Sequence, residues 1–257
     1  MQADDYADMY AIEESMWWFV GMREITAALL DPVCAPGRDR TILDAGCGTG
    51  GNLHWLKRYS GQGRVIGMDL VADALRFCRA RGHQHLVQAS VTAMPFADAS
   101  FDLLTSFDVL VQVEGEEGCD EQALREMCRV LRPGGLAFVR AAAYEWMRSG
   151  HDEALGTQRR YQLGQLAERM ERAGFHVLRT TYANSLLLPL AVLRRLLLKR
   201  IGLADRGSDV KPLPPRLDRL NLMLAGLLRS EAHWLRHPQA RLRAGLSAIC
   251  VAQKTRL

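Results

Sequence analysis

Residues 42–51 read Ile-Leu-Asp-Ala-Gly-Cys-Gly-Thr-Gly-Gly, a short apolar run that breaks into glycines at alternate positions. Gly46, Gly48 and Gly50 let the backbone turn tightly, and with no Cβ they leave main-chain N–H groups open to a ligand. Helix-forming text follows over Asn52–Tyr59, so the loop joins a strand to a helix. The same alternation continues along the chain. Strands are expected at Thr41–Asp44, Arg64–Asp69, Leu86–Ala89, Phe101–Ser106, Leu136–Arg140, Phe175–Thr181 and Leu246–Lys254. Further helices are expected at Ala72–Arg81, Asp120–Leu131 and Leu163–Ala173, the second of them stopped by Pro133-Gly134-Gly135. Strand and helix in turn at this spacing build an α/β protein with a parallel sheet covered on both faces.

Asp69 ends the second expected strand, about 20 residues beyond the glycines. A carboxylate there can accept hydrogen bonds from both hydroxyls of a ribose. A nucleoside-containing cofactor is therefore expected across the strand ends, at the switch point of the sheet. Its identity stays open on spacing alone, because Gly46, Gly48 and Gly51 also satisfy the nicotinamide or flavin pattern GxGxxG.

Two segments fall outside the alternation. Residues 7–30 read as a helix or helix pair carrying Trp17, Trp18 and Phe19, broken by Asp31, Pro32, Pro36 and Gly37. Residues 183–245 read as a helical insertion. Leu186, Leu190, Leu193, Leu197 and Ile201 form one stripe, and Leu217, Leu220, Leu224, Leu227 and Trp234 a second. The insertion carries a charge split that the total of +4 conceals. Residues 183–257 hold 14 Lys+Arg against 4 Asp+Glu, whereas the preceding residues hold 19 against 25.

Composition excludes several classes. At 48% hydrophobic and 24% charged, the chain is neither disordered nor fibrous. Its 6 cysteines show no C-x-x-C pair and no zinc spacing with His, so reduced thiols and no metal are expected. Met1–Tyr10 lacks the apolar core of a signal peptide, and Leu186–Leu193 is too short to span a bilayer, so a cytoplasmic protein is expected.

Four ordered stretches resemble one family. Ile42–Gly51 is similar to the LDxGCGTG motif of class I S-adenosylmethionine-dependent methyltransferases. Met94-Pro95-Phe96 with Asp98–Asp102 resembles their LPFxDxSFD run. Leu124–Gly135 resembles REhxRVLrPGG, and Arg159-Arg160-Tyr161 with Ala173-Gly174-Phe175 resembles RRY followed by AGF. The match is to the broad type 11, UbiE-like group.

That resemblance implies a Rossmann-like, doubly wound, seven-stranded sheet, mostly parallel with an antiparallel last strand. Around it would lie an N-terminal helical lid (1–40), a cofactor-binding core (41–182), a basic helical cap (183–245) and the last strand (246–257). It also implies S-adenosylmethionine as cofactor and S-adenosylhomocysteine as product. Ala45, Gly46, Cys47 and Gly48 would meet the methionine end, with Asp44 near its ammonium. Asp69 would take the ribose, Met68 and Leu70 would flank the adenine, and Ser90 and Val91 stand where an adenine-binding Asp is common. Phe107 and Asp108 start the loop that borders the sulfonium, and Gln112 stands where many relatives have His.

In-line methyl transfer needs positioning and exclusion of water, and a base only where the acceptor carries a proton to be removed. His151, Asp108 and Tyr144 are the candidate bases. Trp17, Trp18, Gln112, Trp146 and Tyr161 are candidate walls of the acceptor pocket. The expected reaction is O-methylation of a small molecule such as a natural product, sugar or lipid precursor. N- or C-methylation, a non-catalytic cofactor-binding protein and a nicotinamide-dependent oxidoreductase are the rival readings. The basic insertion suits an anionic acceptor, or peripheral contact with an anionic membrane through Arg194, Arg195, Lys199 and Arg200. Too few aromatics accompany the basic residues for nucleic acid. A monomer or homodimer is expected.

Overall fold

The computed structural model describes residues 3–115, 118–200, 214 and 217–255. Side chains of residues 3, 4, 151, 154 and 195–200 lie outside the description.

Two helices lead, α1 (Ala3–Ile12) and α2 (Trp17–Leu30). The alternation follows as β1 (Thr41–Ala45), α3 (Gly51–Leu56), β2 (Arg64–Asp69), α4 (Ala72–Ala80), β3 (Leu86–Gln88), β4 (Phe101–Phe107) and α5 (Cys119–Val130). Next come β5 (Leu131–Ala142), α6 (Gly150–Leu155), α7 (Leu163–Arg172) and β6 (Phe175–Ala183). The insertion supplies α8 (Leu188–Arg200) and α9 (Asp218–Leu235) before β7 (Ser247–Lys254) closes the sheet.

The seven strands lie in the order β3-β2-β1-β4-β5-β7-β6. The pairs β1–β2, β2–β3, β1–β4 and β4–β5 are parallel, and β7 runs antiparallel between β5 and β6. The order reverses between β1 and β4, which opens a crevice above their carboxyl ends. Strand β5 begins earlier than expected, since Pro133-Gly134-Gly135 lies within it. Its register on β4 jumps from Phe101↔Leu131 to Leu103↔Leu136, and the proline, which has no N–H to donate, sits in that irregularity.

Side chains alternate between two cores, as the period of a strand demands. Leu43, Leu104, Val139 and Cys250 face a layer with Leu124 and Met127 of α5 and Leu166 and Met170 of α7. Ile42, Leu103, Phe138 and Ile249 face the opposite layer, which contains Met22, Ile25 and Leu29 of α2 and Leu228, Ala232 and Leu235 of α9. Helices from the segments expected to be lid and cap therefore pack directly on one face of the sheet, beside Leu56 and Tyr59 from the α3 region.

The stripe expected on the second insertion helix is corrected. The buried positions of α9 are Ala225, Leu228, Glu231, Ala232 and Leu235, whereas Leu220 and Trp234 are exposed. Helix α9 crosses α2 closely. A Cβ placed on Gly21 would lie 2.4 Å from the Leu228 Cβ. Small residues are needed at that crossing, so the largest apolar residues do not mark the buried face.

Candidate active site

The glycine loop is held from below and from the side. Gly46 and Cys47 donate their N–H groups to the Met68 carbonyl at 2.7 and 2.9 Å. Gly46 and Gly48 both have positive φ, at 85° and 54°. Any Cβ on Gly46 would also strike Val109, at 2.2 Å. Asp69 accepts the Gly48 N–H at 2.8 Å through one oxygen and the Val71 N–H at 3.0 Å through the other. Burial pushes the Asp69 carboxyl up from its ordinary range, and these backbone donors oppose the shift.

Asp44 lies beneath the loop, buried. Thr105 donates to its Oδ1 at 2.7 Å, whereas Oδ2 has no partner. Burial pushes its carboxyl from 3.8 up to about 7. Such a carboxylate is electrostatically incomplete, and a cation beside the loop would complete it.

A cavity of about 800 Å³ runs over the strand ends. Its cofactor half is lined by Gly46, Cys47, Gly48, Asp69, Leu70, Ala89, Ser90, Val91 and Thr92 above β1, β2 and β3. The Ser90 hydroxyl is shared with the Thr92 side chain at 2.8 Å and takes the Thr92 N–H at 3.2 Å. Helix α1 roofs this half with Tyr6 and Met9, and Glu13 follows just past its end. Burial and the nearby Asp69 push the Tyr6 phenol to about 12, so it stands as a neutral hydroxyl.

The roof is fastened to the loop. Thr49 donates to Glu13 at 2.5 Å, and Arg81 of the α4–β3 connection pairs with Glu13 at 2.9 Å and with Glu14. Arg81 also donates to the carbonyls of Tyr10 and Thr49, at 2.6 and 3.0 Å.

The other half lies over β4, β5, β6 and the start of β7. Phe107, Asp108, Gln112, Arg140, Asn184 and Ser247 line it with Trp17, Trp18 and Phe19 of α2. Arg140 is almost wholly buried. It donates Nε and Nη2 to Asp108 Oδ2, at 2.8 and 2.7 Å. Its guanidinium also rests 4.7 Å from the Trp18 ring and 5.0 Å from that of Phe107. A second buried pair, Arg160–Asp152 at 2.8 Å, borders the same half.

Several sequence expectations need correction. Met68 is fully buried in the core and shapes the site only through its carbonyl. Ala45 is buried behind the loop rather than on the cavity wall. Tyr161 is buried elsewhere and donates to Asp120 at 2.7 Å. Trp146 is 59% exposed and stacks on Tyr144, which stacks in turn on Tyr182, and neither Trp146 nor Tyr144 lines the cavity. Burial pushes the Tyr144 phenol up to about 12, which disfavours it as a base. His151 falls in α6, and its side chain lies outside the described residues, as do those of Arg195, Lys199 and Arg200. Asp152, the residue after His151, accepts from Arg160 and from the Ser149 N–H.

Sequence reading missed Tyr6, Glu13, Arg140 and Asn184. Only Arg140 had left a signal, a lone charge at the carboxyl end of the apolar strand Leu136–Arg140.

A sheet in this order, with a glycine loop after β1 and an acid after β2, defines a Rossmann-like fold with a nucleoside-cofactor cleft. Residues 43–139 match the family described as "Methyltransferase domain", the type 11 group. The chain is 43% identical over 107 residues to malonyl-[acyl-carrier protein] O-methyltransferase of Enterobacter lignolyticus, covering 40% of this chain and 39% of that one. It is 37% identical over 110 residues to the ubiquinone/menaquinone biosynthesis C-methyltransferase UbiE of Klebsiella pneumoniae, covering 40% and 42%. The chain spans about half the length of the curated relatives it matches. Among solved structures, an S-adenosylmethionine-dependent methyltransferase from Mesorhizobium loti superposes with a TM-score of 0.57 at 17% identity, over 89% of this chain and 95% of that one. One from Archaeoglobus fulgidus gives 0.56 at 15%, over 90% and 94%, and both share the fold. The chain thus carries a class I S-adenosylmethionine-dependent methyltransferase domain of the type 11 group.

The site's own residues fit that family's cofactor. Asp44 has an orphaned buried oxygen for which an ammonium is a suitable partner, Gly46 and Gly48 leave the loop bare, and Asp69 stands at the cavity edge.

Proposed function

We propose that the protein transfers a methyl group from S-adenosylmethionine to a small-molecule acceptor, by O-methylation. One observation carries this reading. The cofactor half of the cavity continues, under one roof, into a second half with its own walls. An about 800 Å³ space is within the range that holds drug-sized ligands.

The bound cofactor supplies an activated methyl on a sulfonium. The chain's residues bind, orient and keep water out. Asp69 is the ribose acceptor and the Gly46–Gly48 backbone the seat of the methionine end. Trp17, Trp18, Phe19 and Met16 exclude water from the acceptor half. Asp108 is the candidate to receive a hydroxyl proton, held in place by Arg140. The buried guanidiniums of Arg140 and Arg160 are each paired with a carboxylate, so neither demands an anionic acceptor.

Titration calorimetry with S-adenosylhomocysteine tests the cofactor, and absence of heat at high concentration refutes the reading. Transfer of labelled methyl to a panel of hydroxyl, amine and activated-carbon acceptors then separates O- from N- and C-methylation. Cofactor binding with no transfer to any acceptor class favours a non-catalytic binding protein.

A second reading concerns where the acceptor comes from. Leu190 and Leu193 of α8 and Leu222 and Met223 of α9 are all more than half exposed, on an insertion rich in Arg and Lys. This favours contact with an anionic membrane surface. No helix among the described residues is long and apolar enough to cross a membrane. Sedimentation with anionic vesicles, compared with neutral ones, tests the contact.

A further inference from the structure

Two thiols meet at the cofactor loop. Cys47 stands in the loop between Gly46 and Gly48, and Cys78 lies on the buried face of α4. Their sulfurs are 3.8 Å apart, although 31 positions separate them in the chain. Two glycines make room for the pair. A Cβ on Gly67 of β2 would lie 2.9 Å from the Cys47 Sγ, and one on Gly50 would lie 3.0 Å from the Cys78 Sγ.

The pair is tied to the backbone that forms the site. Cys78 donates its thiol to the Gly48 carbonyl at 3.1 Å, while the Gly48 N–H donates to Asp69 at 2.8 Å. Gly48 is thus held between the Cys78 thiol and the acid assigned to the ribose. Cys47 lines the cofactor half of the cavity and keeps 7% of its surface exposed, whereas Cys78 is wholly enclosed. A small reagent therefore reaches the pair through Cys47, from the space the cofactor would fill.

The hydrogen bond with Cys78, together with burial, holds the Cys47 thiol well above its ordinary range, so the resting pair is protonated. Attack on an oxidant is then slow, but the second sulfur is already in place once the first has reacted.

We propose that Cys47 and Cys78 are a modification site, joined by a hydroperoxide into a disulfide that weakens cofactor binding, and that bound cofactor shields them. The inference rests on the cofactor assignment of this cleft and adds a means of regulating it.

The chemistry balances with hydrogen peroxide as oxidant. The Cys47 sulfur attacks one peroxide oxygen, the O–O bond breaks, and the departing hydroxide takes the Cys47 proton to become water. The Cys78 sulfur then attacks the Cys47 sulfenic sulfur. The S–O bond breaks, and the second hydroxide leaves with the Cys78 proton, again as water. The two sulfurs together give up two electrons to the peroxide. Closure from 3.8 Å to the ~2.0 Å of a disulfide draws the loop and α4 together and removes the thiol donor from the Gly48 carbonyl.

The test treats the full chain with hydrogen peroxide, with and without saturating S-adenosylhomocysteine, then blocks free thiols and digests with trypsin without reduction. The expected product joins the peptide Thr41–Lys57 to Phe77–Arg79, lighter by two hydrogens than the separate peptides together. S-adenosylhomocysteine at 100 times its Kd should slow its formation by roughly 10- to 100-fold. In calorimetry the cross-linked chain should bind S-adenosylhomocysteine about tenfold more weakly, the size of one lost hydrogen bond, and dithiothreitol should restore the affinity. Cys78→Ser still offers the Gly48 carbonyl a donor but cannot cross-link. In that variant peroxide should leave a sulfenic acid on Cys47, which dimedone traps. Absence of the joined peptide at a peroxide dose that oxidises the half-buried Cys119 overturns the inference. So does a cross-link that forms as fast under saturating S-adenosylhomocysteine, or one that leaves its affinity unchanged. If S-adenosylhomocysteine does not bind the untreated chain, the cofactor reading fails instead, and the peptide map alone decides whether the thiols pair.

Discussion

Asp69 illustrates how one side chain serves both fold and site. Its two oxygens brace the loop through Gly48 and Val71 while the carboxylate faces the cavity. Asp69→Ala should weaken S-adenosylhomocysteine about 10- to 100-fold in calorimetry, the range for hydrogen bonds to a charged group. Asp44 gives a pH signature. Its folded carboxyl is raised from 3.8 to about 7, so the folded state holds the proton more tightly than the unfolded state does. Its contribution to stability is therefore fully present below pH ~4 and is lost as pH rises to ~7. Asn at this position removes that dependence. In urea titrations of the unliganded protein, Asp44→Asn should gain on the native chain steadily between those values. At pH 8 the same variant should bind S-adenosylhomocysteine about tenfold more weakly, because the ammonium loses a charged partner.

At the scale of elements, two contacts decide how the helices frame the cleft. Alanine in place of a mid-helix glycine ordinarily gains about 1 kcal/mol. At Gly21 the new methyl would lie 2.4 Å from the Leu228 Cβ, where overpacking costs ~1–3 kcal/mol. The clash wins, so Gly21→Ala should lower stability in urea, and adding Leu228→Ala should cost less than the two single losses summed. The other contact is Arg81, which ties the glycine loop to Tyr10, Glu13 and Glu14. Arg81→Ala should free α1 from the loop. Limited proteolysis near residues 13–16 should accelerate, and S-adenosylhomocysteine affinity should fall about tenfold as part of the roof departs. Unchanged cleavage together with unchanged affinity would show that α1 does not close the cofactor half.

For the whole molecule, the cleft draws on the sheet, both leading helices and the insertion, so occupancy should be felt globally. A ligand at 100 times its Kd adds about 2.7 kcal/mol. For a chain of this length that corresponds to a rise in Tm of roughly 5–10 °C. A scan with S-adenosylhomocysteine should show one transition moving by that amount. If α2 and α9 formed an independent cap, a separate early transition would appear and stay fixed. Their residues Met22, Ile25, Leu228 and Leu235 are buried in one core with Ile42 and Phe138, which predicts a single transition.

Local spacing was enough to read the strands, the glycine loop and Asp69, because each depends on residues close together in the chain. An alternating apolar run is a strand wherever it lies, and a bare glycine turn after it must face something. The acceptor side was not legible in the same way. Trp146 and Tyr161 looked like pocket walls on residue type alone, but one is exposed and the other is bonded to Asp120. Arg140 and Asp108 stand 32 positions apart, and Asn184 and Glu231 stand 47 apart. Local periodicity carries no information about such pairs, which exist only once neighbouring strands and packed helices bring them together. The sequence by itself determined the sheet, the cofactor loop and the family. Which face α9 buries, what fastens the roof, and which two thiols meet at the cofactor loop were decided by tertiary packing, where backbone approach and burial, rather than residue type, set the outcome.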